Sequence, residues 1–142
     1  MKIRVLLVDD EPDFVESLSQ SLQIRDFDVK TSLSGDEALD LIQKQDFDVI
    51  VLDVLMPGKD GIETLKEIKT IKPLLHVIML TGHATVETGI EGMKLGAYDY
   101  LIKPVETDEL ADKIAKAYNL KAEHEERIRK AEIENIIKRR GW

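Results

Sequence analysis

The chain has 142 residues, 43% of them hydrophobic, which is enough for one domain with a proper core and too few for two comfortable ones. It contains no cysteine, and this excludes a disulfide framework, a thiolate metal site and a cysteine nucleophile. The apolar run near the N-terminus ends at Asp9, and no other run approaches transmembrane length. We therefore expect no signal peptide and no membrane span, and a soluble, cytoplasmic protein.

The net charge of −8 is unevenly distributed. Residues 1–120 hold 13 basic and 23 acidic side chains, whereas residues 121–142 hold 7 and 5. An acidic body argues against direct binding of nucleic acid, which needs clustered positive charge. The shift in composition predicts a domain over residues 1–120 and a charged helical extension or linker over residues 121–142.

Five short apolar runs have the composition of buried strands, and each precedes a segment with helical periodicity. The predicted strands cover residues 3–8, 27–31, 48–52, 77–80 and 100–102. The predicted helices begin at Pro12, after the capping pairs Ser34/Glu37 and Asp60/Glu63, at Ala84, and after the cap Thr107. This alternation predicts an α/β fold of flavodoxin-like type, a doubly wound parallel sheet of order 2-1-3-4-5.

Polar side chains stand where four of these strands end. Asp9 and Asp10 follow the first strand, Asp53 the third, Thr81 the fourth and Lys103 the fifth. In the predicted fold these strand ends share one edge, with a crevice between strands one and three. Each residue alone is readily explained as a helix cap or a loop residue. Their joint occurrence at one edge predicts a functional site.

The chemistry of this set suits a phosphoryl group. Three clustered carboxylates repel one another unless a cation intervenes, and oxygen ligands without histidine or cysteine favour Mg²⁺. Lys103 adds a compact positive charge and Thr81 a hydroxyl donor. Asp53 is then the predicted nucleophile, with the cation and Lys103 offsetting the charge of the transferring group.

These residues carry a resemblance to a known family. With the Met56-Pro57-Gly58 turn and Tyr100 ahead of Lys103-Pro104, they resemble the CheY-like receiver domain of bacterial two-component response regulators, over about residues 2–120. The stretches Thr81-Gly82-His83-Ala84 and Gly96-Ala97-Tyr98-Asp99-Tyr100 are most similar to receivers of nitrogen-regulation-type transcriptional activators.

The resemblance implies roles for particular residues. Asp53 would accept phosphoryl from a sensor histidine kinase. Asp10, Asp53 and the backbone carbonyl of Leu55 would bind Mg²⁺ directly, and Asp9 would act mainly through water. Thr81 and Lys103 would contact the phosphoryl group. The remaining implied positions are the switch residue Tyr100, which would swing inward when Thr81 moves, the turn at Pro57 and Gly58, and a cis bond before Pro104.

The resemblance also implies partners. Such a domain is not an enzyme in the usual sense, because it catalyses only its own phosphorylation and dephosphorylation. It would act on an output domain that this sequence lacks, or form a homodimer through the fourth helix and fifth strand or through the C-terminal helix.

The charged tail has the pattern of a helix. Acid-first pairs such as Glu123–Arg127 support a helix that continues from the last predicted helix toward Arg140. A heptad seam extended from that helix lands on Lys121 and His124, so a continuous coiled coil is poorly supported. A solvated linker helix and a dimerising signal helix both stay open.

Four other functions can be compared with this pattern. An aspartyl phosphohydrolase usually has a second aspartate two residues after its nucleophile, where this chain has Leu55. A flavodoxin-type flavin binder needs a phosphate loop after the first strand, where Asp9, Asp10 and Glu11 would repel a phosphate. A P-loop enzyme is excluded because its signature is missing. A receiver-like scaffold that only binds partners is the most serious alternative.

Overall fold

The computed structural model describes residues 2–56, 58–82 and 85–139. The elements, in chain order, are β1 (Arg4–Val8), α1 (Pro12–Ile24), β2 (Asp28–Ser32), α2 (Gly35–Lys44), β3 (Val49–Leu52), α3 (Gly61–Ile71), β4 (His76–Thr81), α4 (Val86–Lys94), β5 (Asp99–Ile102) and α5 (Thr107–Arg139). All strands are parallel, in the order β2-β1-β3-β4-β5. The predicted fold is confirmed. Ala84, the predicted start of the fourth helix, lies outside the described residues.

The sheet separates two apolar layers. All four residues of β3 are buried, and they alternate between the layers as a strand requires. Ile50 and Leu52 pack with residues of α2 and α3, whereas Val49 and Val51 pack with residues of α1 and α5. A strand buried on both faces places its last backbone atoms at a covered edge, and the candidate site lies there.

Helix caps were predicted with mixed success. The Asp60 carboxylate accepts from the amide of Glu63 at 2.8 Å, as expected for the start of α3. The capping box at α2 is only half formed. Ser34 accepts from the amide of Glu37 at 3.2 Å, but the Glu37 carboxylate accepts from Leu33 instead of Ser34.

Thr107 was predicted as the cap of the last helix and is instead its first residue. The carbonyl of Glu106 already accepts from the amide of Leu110 at 3.1 Å, so the helix begins one residue earlier than the predicted cap requires. From there α5 runs for 33 residues without a break, as its charge pattern predicted, and Glu123 and Arg127 form one of the expected pairs at 3.7 Å. Arg140 lies outside the described residues. Among those that are described, no helix combines the length and apolarity needed to cross a membrane.

The extension is attached to the opposite edge of the sheet through Asp48. This carboxylate is 4% exposed and accepts from the backbone amide of Arg4 at 2.9 Å and from its guanidinium at 3.0 and 3.2 Å. The ammonium of Lys121 lies 3.5 Å from the same carboxylate and is only 15% exposed. Burial alone would raise the pKa of Asp48, but the hydrogen bonds from Arg4 and the charges of Arg4 and Lys121 outweigh burial and lower it. The first turn beyond residue 120 therefore packs on the body of the domain.

A second contact of the extension involves His76, at the start of β4. Its ring lies 5.4 Å from the ring of Tyr98 and 6.5 Å from that of His124 on α5. Burial lowers the pKa of His76 to about 4, and the positive charge of Lys69 adds to the effect. The imidazole is therefore neutral at pH 7, which allows it to pack among these rings without a counter-charge.

We expect Asp48→Asn to lower the free energy of unfolding by about 2 kcal/mol at neutral pH, because the change leaves Arg4 and Lys121 without their buried carboxylate. The folded-state pKa of Asp48 is lowered, so its contribution is present above the unfolded pKa of about 4 and is lost as the pH falls further. Urea unfolding at neutral pH and in acid should show that the free energies of unfolding of the wild type and of Asp48→Asn become equal in acid.

The matched control for this variant is Asp112→Asn. Asp112 pairs with Lys116 within α5 at 2.9 Å, with both side chains 62% exposed. Its loss should change the free energy of unfolding by less than about 0.5 kcal/mol. Equal effects of the two variants would contradict a structural role for Asp48.

Candidate functional site

The backbone places three of the predicted site residues at the carboxyl edge of the sheet. The amide of Asp9 donates to the last carbonyl of β2 at 3.1 Å, that of Asp53 to the last carbonyl of β1 at 2.9 Å, and that of Lys103 to the last carbonyl of β4 at 2.9 Å. Each bond extends the ladder one residue beyond a strand. Side chains that follow different strands thus meet at one point.

Four carboxylates gather there. Asp9, Asp10, Glu11 and Asp53 each offer an oxygen, and these oxygens all lie within 4.8 Å of one another. Asp9 and Asp53 are 4% and 3% exposed, Asp10 is half-buried and Glu11 is exposed. Glu11 was not predicted as a site residue. The available signal was its position as the third acid of an uninterrupted acidic run.

The ammonium of Lys103 lies among these acids and is bonded to Asp9. Its distances are 2.6 Å to Asp9 Oδ2, 3.5 Å to Glu11 Oε1 and 4.0 Å to Asp53 Oδ2. Burial alone would lower the pKa of Lys103, but the hydrogen bond to Asp9 and the surrounding negative charges outweigh burial and raise it. Lys103 is therefore a permanent cation at neutral pH, next to the predicted nucleophile but paired with a different carboxylate.

The pKa of Asp9 is shifted in opposite directions by burial and by hydrogen bonds. Burial raises the pKa of its carboxyl group and the charge of Asp53 adds to this, while hydrogen bonds from Lys103 and from the amide of Glu11 act in the other direction. The net direction is upward. The hydrogen bond from Lys103 therefore does not fully offset the cost of burying this carboxylate.

Phe14 forms one wall around the lysine. The Lys103 ammonium lies 4.0 Å from the centre of the Phe14 ring, a cation–π contact. Nothing in the local sequence pattern around Phe14 indicates that its ring contacts a charge carried by a residue far along the chain.

One oxygen of the predicted nucleophile has no hydrogen-bond partner. Asp53 Oδ1 is buried and unpaired within the described residues, and such an atom is costly unless another group meets it. The cluster around it offers carboxylate oxygens, which are the ligands that Mg²⁺ and other hard divalent cations prefer. Asp9, Asp10, Glu11 and Asp53 therefore fit a divalent cation and would be the residues that hold it.

The loop after Asp53 closes tightly behind it. The amide of Gly61 donates to the carbonyl of Val54 at 2.7 Å, so the first residue of α3 touches the backbone of the nucleophile loop. Gly58 has φ of +77°, the left-handed backbone expected of its turn. The side chain of Leu55 is 54% exposed. Pro57 lies outside the described residues.

The predicted switch residues lie on β4 and β5. Thr81 is fully buried at the end of β4. Tyr100 pairs with Met79 across the two strands and is half-buried. Its hydroxyl lies 2.7 Å from that of Thr88 on α4, a partner that the sequence pattern did not identify. The peptide between Lys103 and Pro104 is cis, and His83 is outside the described residues.

Comparison with known proteins identifies one family. The family described as response regulator receiver domain matches residues 5–115. The transcriptional regulatory protein ZraR of Escherichia coli K12 is 41% identical over 115 residues, which is 81% of this chain and 26% of ZraR. The regulatory protein AtoC of the same organism is 37% identical over 119 residues, which is 84% of this chain and 26% of AtoC. The chain thus spans about a quarter of the length of these curated relatives.

Solved structures agree with this assignment. A response regulator receiver domain protein from Clostridium thermocellum has a TM-score of 0.81 and 36% identity, covering 84% of this chain and 97% of that one. NtrX from Brucella abortus, solved in complex with ATP, has a TM-score of 0.83 and 31% identity, covering 89% of this chain and 29% of that one. The match over residues 5–115 and these similarities lead to one conclusion: the chain belongs to the response regulator receiver domain family of two-component systems.

Proposed function

We propose that this domain works in the cytoplasm and accepts a phosphoryl group on Asp53 from the phosphohistidine of a sensor histidine kinase, with Mg²⁺ bound among Asp9, Asp10 and Asp53. The proposal rests on the contacts of the two carboxylate oxygens of Asp53. Its Oδ1 is buried without a hydrogen-bond partner in the described part of the chain, and its Oδ2 lies 4.0 Å from the Lys103 ammonium. A carboxylate held near a cation but not bonded to it keeps its lone pairs for reaction.

In the proposed step an oxygen of Asp53 attacks phosphorus. The new P–O bond forms as the P–N bond to the donor imidazole breaks, and the electron pair of that bond returns to the imidazole, which takes up a proton from solvent. Lys103 offsets negative charge on the transferring group through its ammonium. A bound divalent cation would supply further positive charge against the phosphoryl oxygens.

The proposed output is a change of partner surface. Phosphorylation adds a charge of roughly −1.5 to −2 beside Thr81 and Lys103, the two groups proposed to contact it. Movement of Thr81 and Tyr100 would then alter the face formed by α4 and β5, where Ile90, Met93 and Ile102 are 52%, 49% and 63% exposed. Such a face suits a second copy of the domain or an output region.

The likeness to ZraR and AtoC supports a place in a longer regulatory protein. In that setting the receiver works through protein contacts, while its acidic body makes no direct contact with nucleic acid. The domain itself turns over no substrate other than its own phosphoryl group, and in this sense it is a switch and not an enzyme.

Incubation with acetyl phosphate and Mg²⁺ tests the proposal. We expect intact-protein mass spectrometry to show the gain of one phosphoryl group, stable in acid and labile in base, as an acyl phosphate is. The gain should be absent from Asp53→Asn and present in Asp112→Asn, the exposed control. Steady release of phosphate from unrelated monoesters would favour a phosphohydrolase, and no modification at all would favour an inert scaffold.

A further inference from the structure

Tyr100 is one of the side chains through which helix α4 contacts the domain, and Met79 and Ile62 also lie next to Gly92. Of the nine residues of α4 only Gly92 is buried, and Val86, Ile90 and Met93 are mostly exposed. The Tyr100 ring lies over the two glycines of the helix: a Cβ built on Gly89 or Gly92 would be 3.8 or 3.7 Å from ring atoms, which is ordinary van der Waals distance. The Tyr100 ring thus packs directly against the part of α4 where the two glycines carry no side chain.

The hydroxyl of Tyr100 meets the N-terminal cap of the same helix. Thr85 and Thr88 form a reciprocal capping box at the start of α4. Thr88 Oγ1 lies 3.1 Å from the Thr85 amide, 3.1 Å from the Thr85 carbonyl and 2.7 Å from the Tyr100 hydroxyl. It also lies 3.0 Å from the Thr85 hydroxyl. One oxygen atom therefore serves both the cap and the tyrosine.

The chemistry of a hydroxyl determines how these contacts are shared. Thr88 Oγ1 has one proton to donate and two lone pairs to accept with. Donation to the Thr85 carbonyl leaves both lone pairs free, and the Thr85 amide and the Tyr100 hydroxyl then each donate to one. These three groups are satisfied in this arrangement, and the fourth neighbour, the Thr85 hydroxyl, accepts from the Thr88 amide instead. Removal of the tyrosine hydroxyl leaves one acceptor position of the cap empty.

We propose that Thr88 is a positioning residue that couples the location of Tyr100 to the order of the first turn of α4. While the ring lies over Gly89 and Gly92, its hydroxyl bond holds Thr88 in the rotamer that caps the helix. When the ring leaves, α4 loses one of its packing contacts and its cap loses a partner together. The coupling is a property of the unphosphorylated domain. Only its trigger, movement of Tyr100 on phosphorylation of Asp53, rests on the proposed function.

A double-mutant cycle distinguishes a Thr88 that is coupled to Tyr100 from a Thr88 that only caps the helix. Thr88→Val removes the hydroxyl and keeps the shape, and Tyr100→Phe removes only the partner hydroxyl. The readout is amide hydrogen exchange of residues 86–94 in the unphosphorylated protein. If the two hydroxyls act together, Thr88→Val should accelerate exchange roughly fivefold more in the wild-type background than in the Tyr100→Phe background, the size of one net hydrogen bond.

Two further variants make the cycle specific. Thr88→Ser retains the hydroxyl and should restore most of the coupling. Asp60→Ala removes the cap of a different helix, the 2.8 Å bond from the Glu63 amide at the start of α3, so its effect on the exchange of residues 61–71 should be the same with Tyr100 and with Phe at that position. Additive effects of Thr88→Val and Tyr100→Phe would overturn the proposal.

Phosphorylation provides a separate test. Acetyl phosphate and Mg²⁺ are added to each variant, and the mass gain at Asp53 is recorded beside the exchange of α4. If all variants are phosphorylated, the change in α4 exchange on phosphorylation should shrink in Thr88→Val, and an unchanged response would contradict the coupling. If none is phosphorylated, the proposed function fails, while the cycle in the unphosphorylated domain still decides the role of Thr88.

Discussion

Gly61→Ala is expected to destabilise the domain by about 3 kcal/mol or more and to impair phosphorylation of Asp53. A Cβ at this position would lie 2.0 Å from the carbonyl oxygen of Asp53 and 2.6 Å from the Cα of Val54. Both are backbone atoms, so no side-chain rotation relieves the overlap. Separating the two segments would also break the 2.7 Å bond between the Gly61 amide and the Val54 carbonyl. Urea unfolding and the acetyl phosphate assay measure the two effects.

The matched control is Gly82→Ala, where a Cβ meets nothing within 4 Å. Its stability should stay close to that of the wild type. Gly89→Ala is a second reference, because its Cβ would make only ordinary contacts with Tyr100 and alanine is the better helix former by about 1 kcal/mol. If Gly61→Ala unfolded at the same urea concentration as Gly82→Ala, the close approach of Gly61 to the backbone of Asp53 and Val54 would not be needed for stability.

Lys103→Met is expected to change two measurable quantities in opposite directions. The Lys103 ammonium, 2.6 Å from Asp9 Oδ2, occupies the carboxylate cluster and competes with a divalent cation for it. Removing this charge should therefore strengthen binding of Mg²⁺, measured by isothermal titration calorimetry. The rate of phosphorylation by acetyl phosphate should nevertheless fall about 100-fold, because the transferring group loses a preorganised positive charge.

Lys113→Met is the control for this pair of measurements. Lys113 is also bonded to an aspartate, Asp99 at 2.8 Å, but it lies outside the acidic cluster. Both quantities should stay at their wild-type values in this variant. If Lys103→Met bound Mg²⁺ as weakly as the wild type did, competition between the ammonium and the cation would be refuted, even if the rate fell.

Much of the architecture could be predicted from local patterns. The apolar run at 49–52 could only be a strand buried on both faces, and strands of this kind separated by amphipathic helices require a covered parallel sheet. Strand order and the edge that collects Asp9, Asp53 and Lys103 follow from the same alternation. Boundaries were less well predicted, as at Thr107, because the terminal turns of a helix depend on single hydrogen bonds and not on a repeating pattern.

The sequence by itself determined which side chains stand at the ends of the strands, because residue periodicity and strand composition act over a few neighbouring positions. Only the tertiary structure decided which of those side chains bond to each other. It pairs Lys103 with Asp9, 94 positions away, more closely than with Asp53. It also joins Tyr100 to Thr88 and Lys121 to Asp48. The physical reason is that hydrogen bonds and ion pairs are selected by differences of roughly an ångström between competing partners, and spacing along a chain does not encode distances of that size.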